Sequence, residues 1–330
     1  MSGPRLLARL AQLALLGIVL WFVYRAVAPQ LAELQPGDLT RWRPAVLPLA
    51  GSFVVLVGVY VAHALLWRRI LGDLALGRPS VRETLRVYFL ASLGRYVPGK
   101  VWQLAGMAVL AGRIGLPPVK ATAAAILGQI AFLLTGMLFL AVCMPGFRGV
   151  EALEGSPAIA WMGAAAVALG LGAVVVWGLV ATRFGHGLRE WAVRRAGERA
   201  GEKIRRAFEL ADTVRTGDAL AWAAFYALTW VALGAAFVAF AAAFVPDAWN
   251  APRYLAGTIA ASYLLGYVLP LPAGIGGREA VMIVLLGPVT GPGAAVVISI
   301  LSRVWFTAAE LVPLMLLPLV PAAPIQEETA

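Results

Sequence analysis

One cysteine, Cys143, and two histidines, His63 and His186, are all the soft metal ligands that 330 residues contain. A single thiol closes no internal disulfide and builds no thiolate cluster, and two histidines on different segments make no zinc set. Cys143 is expected to be a packing residue. HExxH, a nucleophile elbow, a P-loop and a GxGxxG run after a strand are missing as well, so the usual frames for metal and nucleotide chemistry are absent. No metal and no cofactor are expected, and no recognisable catalytic constellation. Charge is also scarce: 13% of the residues are Asp, Glu, Lys or Arg, against about a quarter in soluble domains.

What fills the chain instead is apolar surface. Hydrophobic residues make up 61% of it and the mean hydropathy is +0.83, an excess that needs lipid as its solvent. Residues 6–24, 44–67, 120–143, 158–181, 219–245 and 294–320 form apolar runs near the roughly 20 residues a helix needs to cross a hydrocarbon core. None alternates as a barrel strand does, and lipid tolerates no unsatisfied backbone, so the runs predict helices. The first segment begins with Arg5 and Arg9 and ends in Trp21, Phe22, Tyr24 and Arg25 without a small-residue cleavage site, which marks a retained helix rather than a signal peptide. The chain is therefore expected to be an all-α polytopic membrane protein, one integral domain over 1–330.

The formal charge of +10 resides mostly in loops, where it sets orientation and does not call for a nucleic-acid partner. Residues 183–217 form a basic linker: nine basic side chains face five acidic ones between Arg183 and Arg215, which makes this connection cytoplasmic. Arg68, Arg69, Arg78, Arg82 and Arg86 mark a second cytoplasmic connection, while 144–157 and 246–253 carry one arginine each and belong outside. The stretch 25–43, with Arg25, Arg41 and Arg43, is an exception placed outside. Both termini are then cytoplasmic, in the inner (plasma) membrane. Within the linker, Leu188, Trp191, Ile204, Phe208 and Ala211 recur at helical intervals, as in an amphipathic helix on anionic lipid or a solvated cytoplasmic helix.

Glycine, proline and charge interrupt the apolar pattern twice. The first break is Gly94-Arg95-Tyr96-Val97-Pro98-Gly99-Lys100-Val101-Trp102-Gln103, between short helices over about 82–95 and 101–114. The second is Pro272-Ala273-Gly274-Ile275-Gly276-Gly277-Arg278-Glu279, between 254–269 and 279–287. Proline removes a donor and bars the preceding residue from helical geometry, and glycine permits positive φ, so both helices should break there. A second punctuation follows each break, 19 positions from Pro98 to Pro117 and 20 from Pro272 to Pro292, a spacing that suggests duplication. Three crossings between the copies invert the second. The expected architecture is thus about six full transmembrane helices plus two broken-helix re-entrant hairpins, 82–143 and 251–320, related as inverted repeats, as in secondary transporters. Eight ordinary crossings with short tilted spans are the plainer alternative.

An ionisable group inside a membrane costs about 3 kcal/mol or more unless paired, hydrated or used, so such groups are functional candidates. They are Arg95, Lys100 and Gln103 at the first break, Arg278 and Glu279 at the second, and Arg303 and Glu310 in the last helix, seven residues apart and hence on one face. Pro98, Gly99, Pro272, Gly274, Gly276 and Gly277 form the hairpin tips. Arg303 can pair with Glu279, either as a lock or as part of a site, and Lys100 can instead snorkel to the interface. Bare amides and helix N-termini at the tips, with Lys100 and Arg278, suit an anion such as a lipid phosphate. His63 reads as a packed or hydrogen-bonded histidine.

The two motifs together, with Ala280 closing the second, resemble the lysylphosphatidylglycerol synthase transmembrane-region family of flippase-like proteins, over nearly the whole chain. The resemblance implies the half that moves an aminoacylated phospholipid between leaflets, since no soluble stretch here is long enough to hold the transferase that makes that lipid. It assigns Arg95, Pro98, Gly99, Lys100 and Gln103 to the first motif and Gly274, Gly276, Arg278 and Glu279 to the second. Expected partners are membrane lipids with a phosphate headgroup: an anionic or aminoacylated phospholipid, or a polyprenyl-phosphate-linked lipid. The alternatives are an intramembrane lipid-modifying enzyme, with Glu279 as its one obvious base, and an accessory scaffold of a lipid or cell-envelope biosynthesis complex. Homo-oligomer formation is left open.

Overall fold

The computed structural model describes residues 44–96, 101–147, 190, 194–195, 214–268 and 277–319. Among the described residues every regular element is helical. The runs at 6–24 and 158–181 and nearly all of the basic linker lie outside them. So do Pro98, Gly99, Lys100, Pro272, Gly274 and Gly276.

Among the described residues, four helices are long and apolar enough to cross a membrane: α1 (Val46–Asp73), α4 (Pro118–Cys143), α5 (Thr216–Phe244) and α8 (Pro292–Leu316, continued by a short 3-10 turn). Each coincides with an expected run, but α1 continues six residues beyond 67, so Arg68 and Arg69 sit on its last turns rather than in a loop. Between the long helices lie α2 (Val81–Ser92), α3 (Val101–Gly112), α6 (Pro252–Val268) and α7 (Gly277–Thr290). At 1.5 Å per residue, α2 and α3 reach only ~18 Å and α7 ~21 Å, short of a ~30 Å core. Proline opens α4, α6 and α8, where the missing amide would have had no partner. Ser80 and Glu83 close a capping box on α2, with the Glu83 amide donating to Ser80 Oγ (3.3 Å) and the Ser80 amide to the Glu83 carboxylate (2.9 Å). α7 runs on through Pro288 to Thr290, three residues past its expected end.

In lipid, helices associate by close packing and hydrogen bonds rather than by escape from water. The longest contact, α1 against α5, shows both. The buried face of α5 is rich in alanine, including Ala236, Ala241, Ala242 and Ala243, and buried His63 shares a 2.9 Å hydrogen bond with Thr229 Oγ1. Indole donors tie the bundle to backbone carbonyls: Trp67 Nε1 donates to Ala121 O (3.2 Å) and Trp230 Nε1 to Phe132 O (2.8 Å), with the Phe132 and Trp230 rings stacked 4.5 Å apart.

The ends of the helices sort into two groups. At one end Trp222 Nε1, early in α5, donates to Asp73 Oδ2 at the close of α1 (2.9 Å), and α2 packs on the 3-10 turn that ends α8. At the other end the Ala45 amide, before α1, donates to Ala243 O near the close of α5 (2.8 Å), and Arg253 Nε in α6 donates to Val142 O in α4 (2.9 Å). Cys143 is buried and free, in packing contact near this second end.

Candidate functional site

The two interrupted regions converge with α8 on a cavity of about 460 Å³. Its polar wall comes from seven elements. The turn after α2 supplies Arg95 and Tyr96, and α3 supplies Gln103. α8 supplies Arg303, Thr307 and Glu310, and the start of α7 supplies Arg278. α4 adds Gln129, and α1 and α6 add Tyr60 and Tyr263.

Local sequence explains how these groups meet. α2 ends in a tight turn, Leu93–Tyr96, that brings Gly94 against the backbone of Trp102 and Gln103; a Cβ there would lie 2.7 Å from Gln103 N. That approach aims Arg95 and Tyr96 inward over the start of α3. On α8, positions 303, 307 and 310 recur at helical spacing and share one face.

Both carboxylates of the site are engaged. Arg95 Nη1 donates to Glu310 Oε1 at 2.6 Å, while Tyr96 Oη donates to Glu310 Oε2 at 2.9 Å and lies 3.2 Å from Thr307 Oγ1. Arg95 also donates through Nε to the carbonyl of Ser92, the last residue of α2 (3.1 Å). Behind the cavity wall, Arg303 forms a buried ion pair with Glu279, which links α8 to α7. The expected pairing of these two residues is present, and Glu279 stands behind Arg303 without lining the cavity.

Arg278 differs from the other two arginines. Its guanidinium lies 4.0 Å from the centroid of the Phe306 ring and 5.9 Å from that of Tyr263, a geometry in which the aromatic faces stabilise the cation. Its Nε and Nη2 are buried and have no hydrogen-bond partner among the described residues. Gln129 Nε2, on the same cavity wall, is in the same state. A buried unmade hydrogen bond costs about 1–3 kcal/mol, more for a charged group.

Of the residues singled out in the sequence, Arg95, Gln103, Arg278, Arg303 and Glu310 line one cavity and Glu279 stands directly behind it. Gly277 is the first residue of α7 rather than part of a break, and Lys100 and the other tip residues lie outside the described ones. Sequence reasoning missed Gln129, Tyr96 and Thr307 as site residues. Gln129 did carry a signal, as an amide in the middle of the apolar run 120–143, where polar side chains need a reason. Among the described residues no three His, Cys, Asp or Glu side chains are grouped to hold a metal ion.

Apolar spanning helices around a charged, sequestered cavity define a multi-pass helical membrane protein with a polar site within its helical bundle. The chain belongs to the lysylphosphatidylglycerol synthase TM region family, which it matches over residues 9–309. Comparison with curated proteins and with solved structures finds no significant match.

Proposed function

We propose that this protein is a flippase-like transporter that moves a phosphate-bearing lipid between leaflets, holding the headgroup in the cavity while the tails stay in the bilayer. The observation that carries this reading is the amphipathic build of the cavity. Its floor is charged and sequestered, with Glu310 at 3% and Arg303 at 7% exposure, whereas its rim residues Leu104, Ile126, Ile130 and Tyr267 are exposed at 39–43%. Those rim residues stand on α3, α4 and α6. Tails can lie along such a rim while the floor replaces the water that a headgroup loses, removing most of the several kcal/mol that a bare charge would cost in hydrocarbon.

The reading includes two re-entrant hairpins, α2–α3 and α6–α7, entering from opposite faces as inverted repeats. Their support is that each pair packs together, that α2, α3 and α7 are too short to cross, and that α2 and α6 start at opposite ends of the bundle. Broken helices of this kind bring amides and charges to the midplane, where alternating exposure needs them. The end carrying Arg68, Arg69, Arg78, Arg82 and Arg86 is taken as cytoplasmic in the plasma membrane. A lipid-modifying enzyme finds less support, because a general base must be free to accept a proton and both carboxylates here are held by arginines. A scaffold needs no buried cation with open hydrogen-bond donors.

The test is bilateral labelling of fluorescent phospholipids and polyprenyl phosphates in proteoliposomes. Exchange above that of protein-free vesicles, blocked by Ile130→Trp at the rim, is the expected result. No exchange of any lipid by folded protein would refute the transporter reading.

A further inference from the structure

The charges of the cavity go further than its shape and indicate which headgroup it selects. Three arginines, Arg95, Arg278 and Arg303, face two glutamates, Glu279 and Glu310, leaving one positive charge among the described residues. The neutralisation is not shared evenly. Glu310 is held by Arg95 and Tyr96, and Glu279 forms its ion pair with Arg303, so that among the described residues Arg278, though next to Glu279, is the cavity arginine without an ion pair of its own.

The unmade hydrogen bonds agree with this charge count from an independent direction. Among the described residues, the buried polar atoms without a hydrogen bond on the cavity wall include Arg278 Nε and Nη2 and Gln129 Nε2, all of them donors. Donors on two different helices, α7 and α4, look for acceptors, and an anionic phosphate oxygen is the strongest acceptor a lipid headgroup offers. An added ammonium would need the opposite, a carboxylate or carbonyl with nothing bound to it, and both cavity carboxylates are already engaged.

We infer that the cavity takes a lipid whose headgroup bears net negative charge, its phosphate held by Arg278 and Gln129, and that an aminoacylated, cationic headgroup is the poorer ligand. This rests on the transporter reading only in treating the cavity as a headgroup site. The phosphate is fixed by a charge-assisted contact to Arg278, already held over Phe306, and by the amide of Gln129 on a second helix. Gln129 is here a selectivity residue: it donates to an anion and leaves the site without an acid.

The experiment reads binding alone. Delipidated full-length protein in neutral detergent is titrated with phosphatidylglycerol, lysylphosphatidylglycerol and inorganic phosphate, by native mass spectrometry and by ligand-induced shift in Tm. Phosphatidylglycerol should bind at least about tenfold more tightly than its lysyl derivative, a factor one charge-assisted hydrogen bond supplies. Arg278→Gln should lose about tenfold for phosphatidylglycerol. Gln129→Glu should move the preference towards the lysyl lipid, a gain that misfolding cannot mimic.

Equal or tighter binding of the lysyl lipid by the wild type would overturn the inference, as would a preference that neither variant alters. Inorganic phosphate binding as tightly as phosphatidylglycerol would overturn the lipid assignment. Selective binding of phosphatidylglycerol by a protein that exchanges no lipid in vesicles would sink the transporter reading and leave this one standing.

Discussion

Arg95 and Glu310 stand 215 residues apart in the chain and 2.6 Å apart in the fold, and through them the first interrupted region is bolted to the last spanning helix. Glu310 is 3% exposed as a side chain and Arg95 26%. Removing one member leaves the other charged in a poorly hydrated place, which typically costs about 3–5 kcal/mol, whereas removing both costs far less. Glu310→Ala is therefore expected to lower the Tm in detergent sharply, and Arg95→Met/Glu310→Met to recover most of the loss. A double-mutant cycle on thermal unfolding measures the coupling.

Gly94 meets backbone, not side chain, where the turn after α2 touches α3. A methyl group there cannot be accommodated by a rotamer change, so Gly94→Ala should part the two helices and destabilise the protein by about 1–3 kcal/mol. Unfolding in detergent gives the size, and faster proteolysis between α2 and α3 would show where the change acts.

Phe306 offers its face to Arg278 and contacts the cavity. Phe306→Leu keeps an apolar residue of similar reach but removes the ring, and with it about 0.5–2 kcal/mol of cation–π attraction. Lipid binding and exchange should fall several-fold while the Tm moves little. A Tm loss with unchanged exchange would make the contact structural only.

How much of this was legible beforehand depends on which physics each residue obeys. The long helices could be read because twenty apolar residues in a row have one stable outcome in lipid, and α1, α4, α5 and α8 follow their runs closely. The turn at Gly94 and the charge of Arg278 are legible for the converse reason: charge and glycine have no business in hydrocarbon without a structure to hold them. The pairing of Arg303 with Glu279 followed from the rule that buried charges find partners. The partnership of Arg95 with Glu310 did not, because several acids and bases were available and spacing along the chain does not choose between them. The sequence does not single out Gln129, since one amide in an apolar run also suits helix packing, and the cavity shows its donor open.

The opposed hairpins make a geometric prediction. In a Cys143→Ser background, single cysteines at Gly99→Cys and Gly274→Cys should react with membrane-impermeant maleimide from opposite sides, or from both sides as the site alternates. Labelling of both from the same single side in inside-out and right-side-out vesicles would end the inverted arrangement.

The most direct measurement is leaflet exchange of fluorescent phosphatidylglycerol in proteoliposomes carrying wild type, Lys100→Ala or Arg278→Ala at equal, folded density. The account predicts rapid exchange by the wild type and loss of at least about tenfold in Arg278→Ala, which removes the cation that holds the phosphate. Exchange that survives Arg278→Ala undiminished would contradict it.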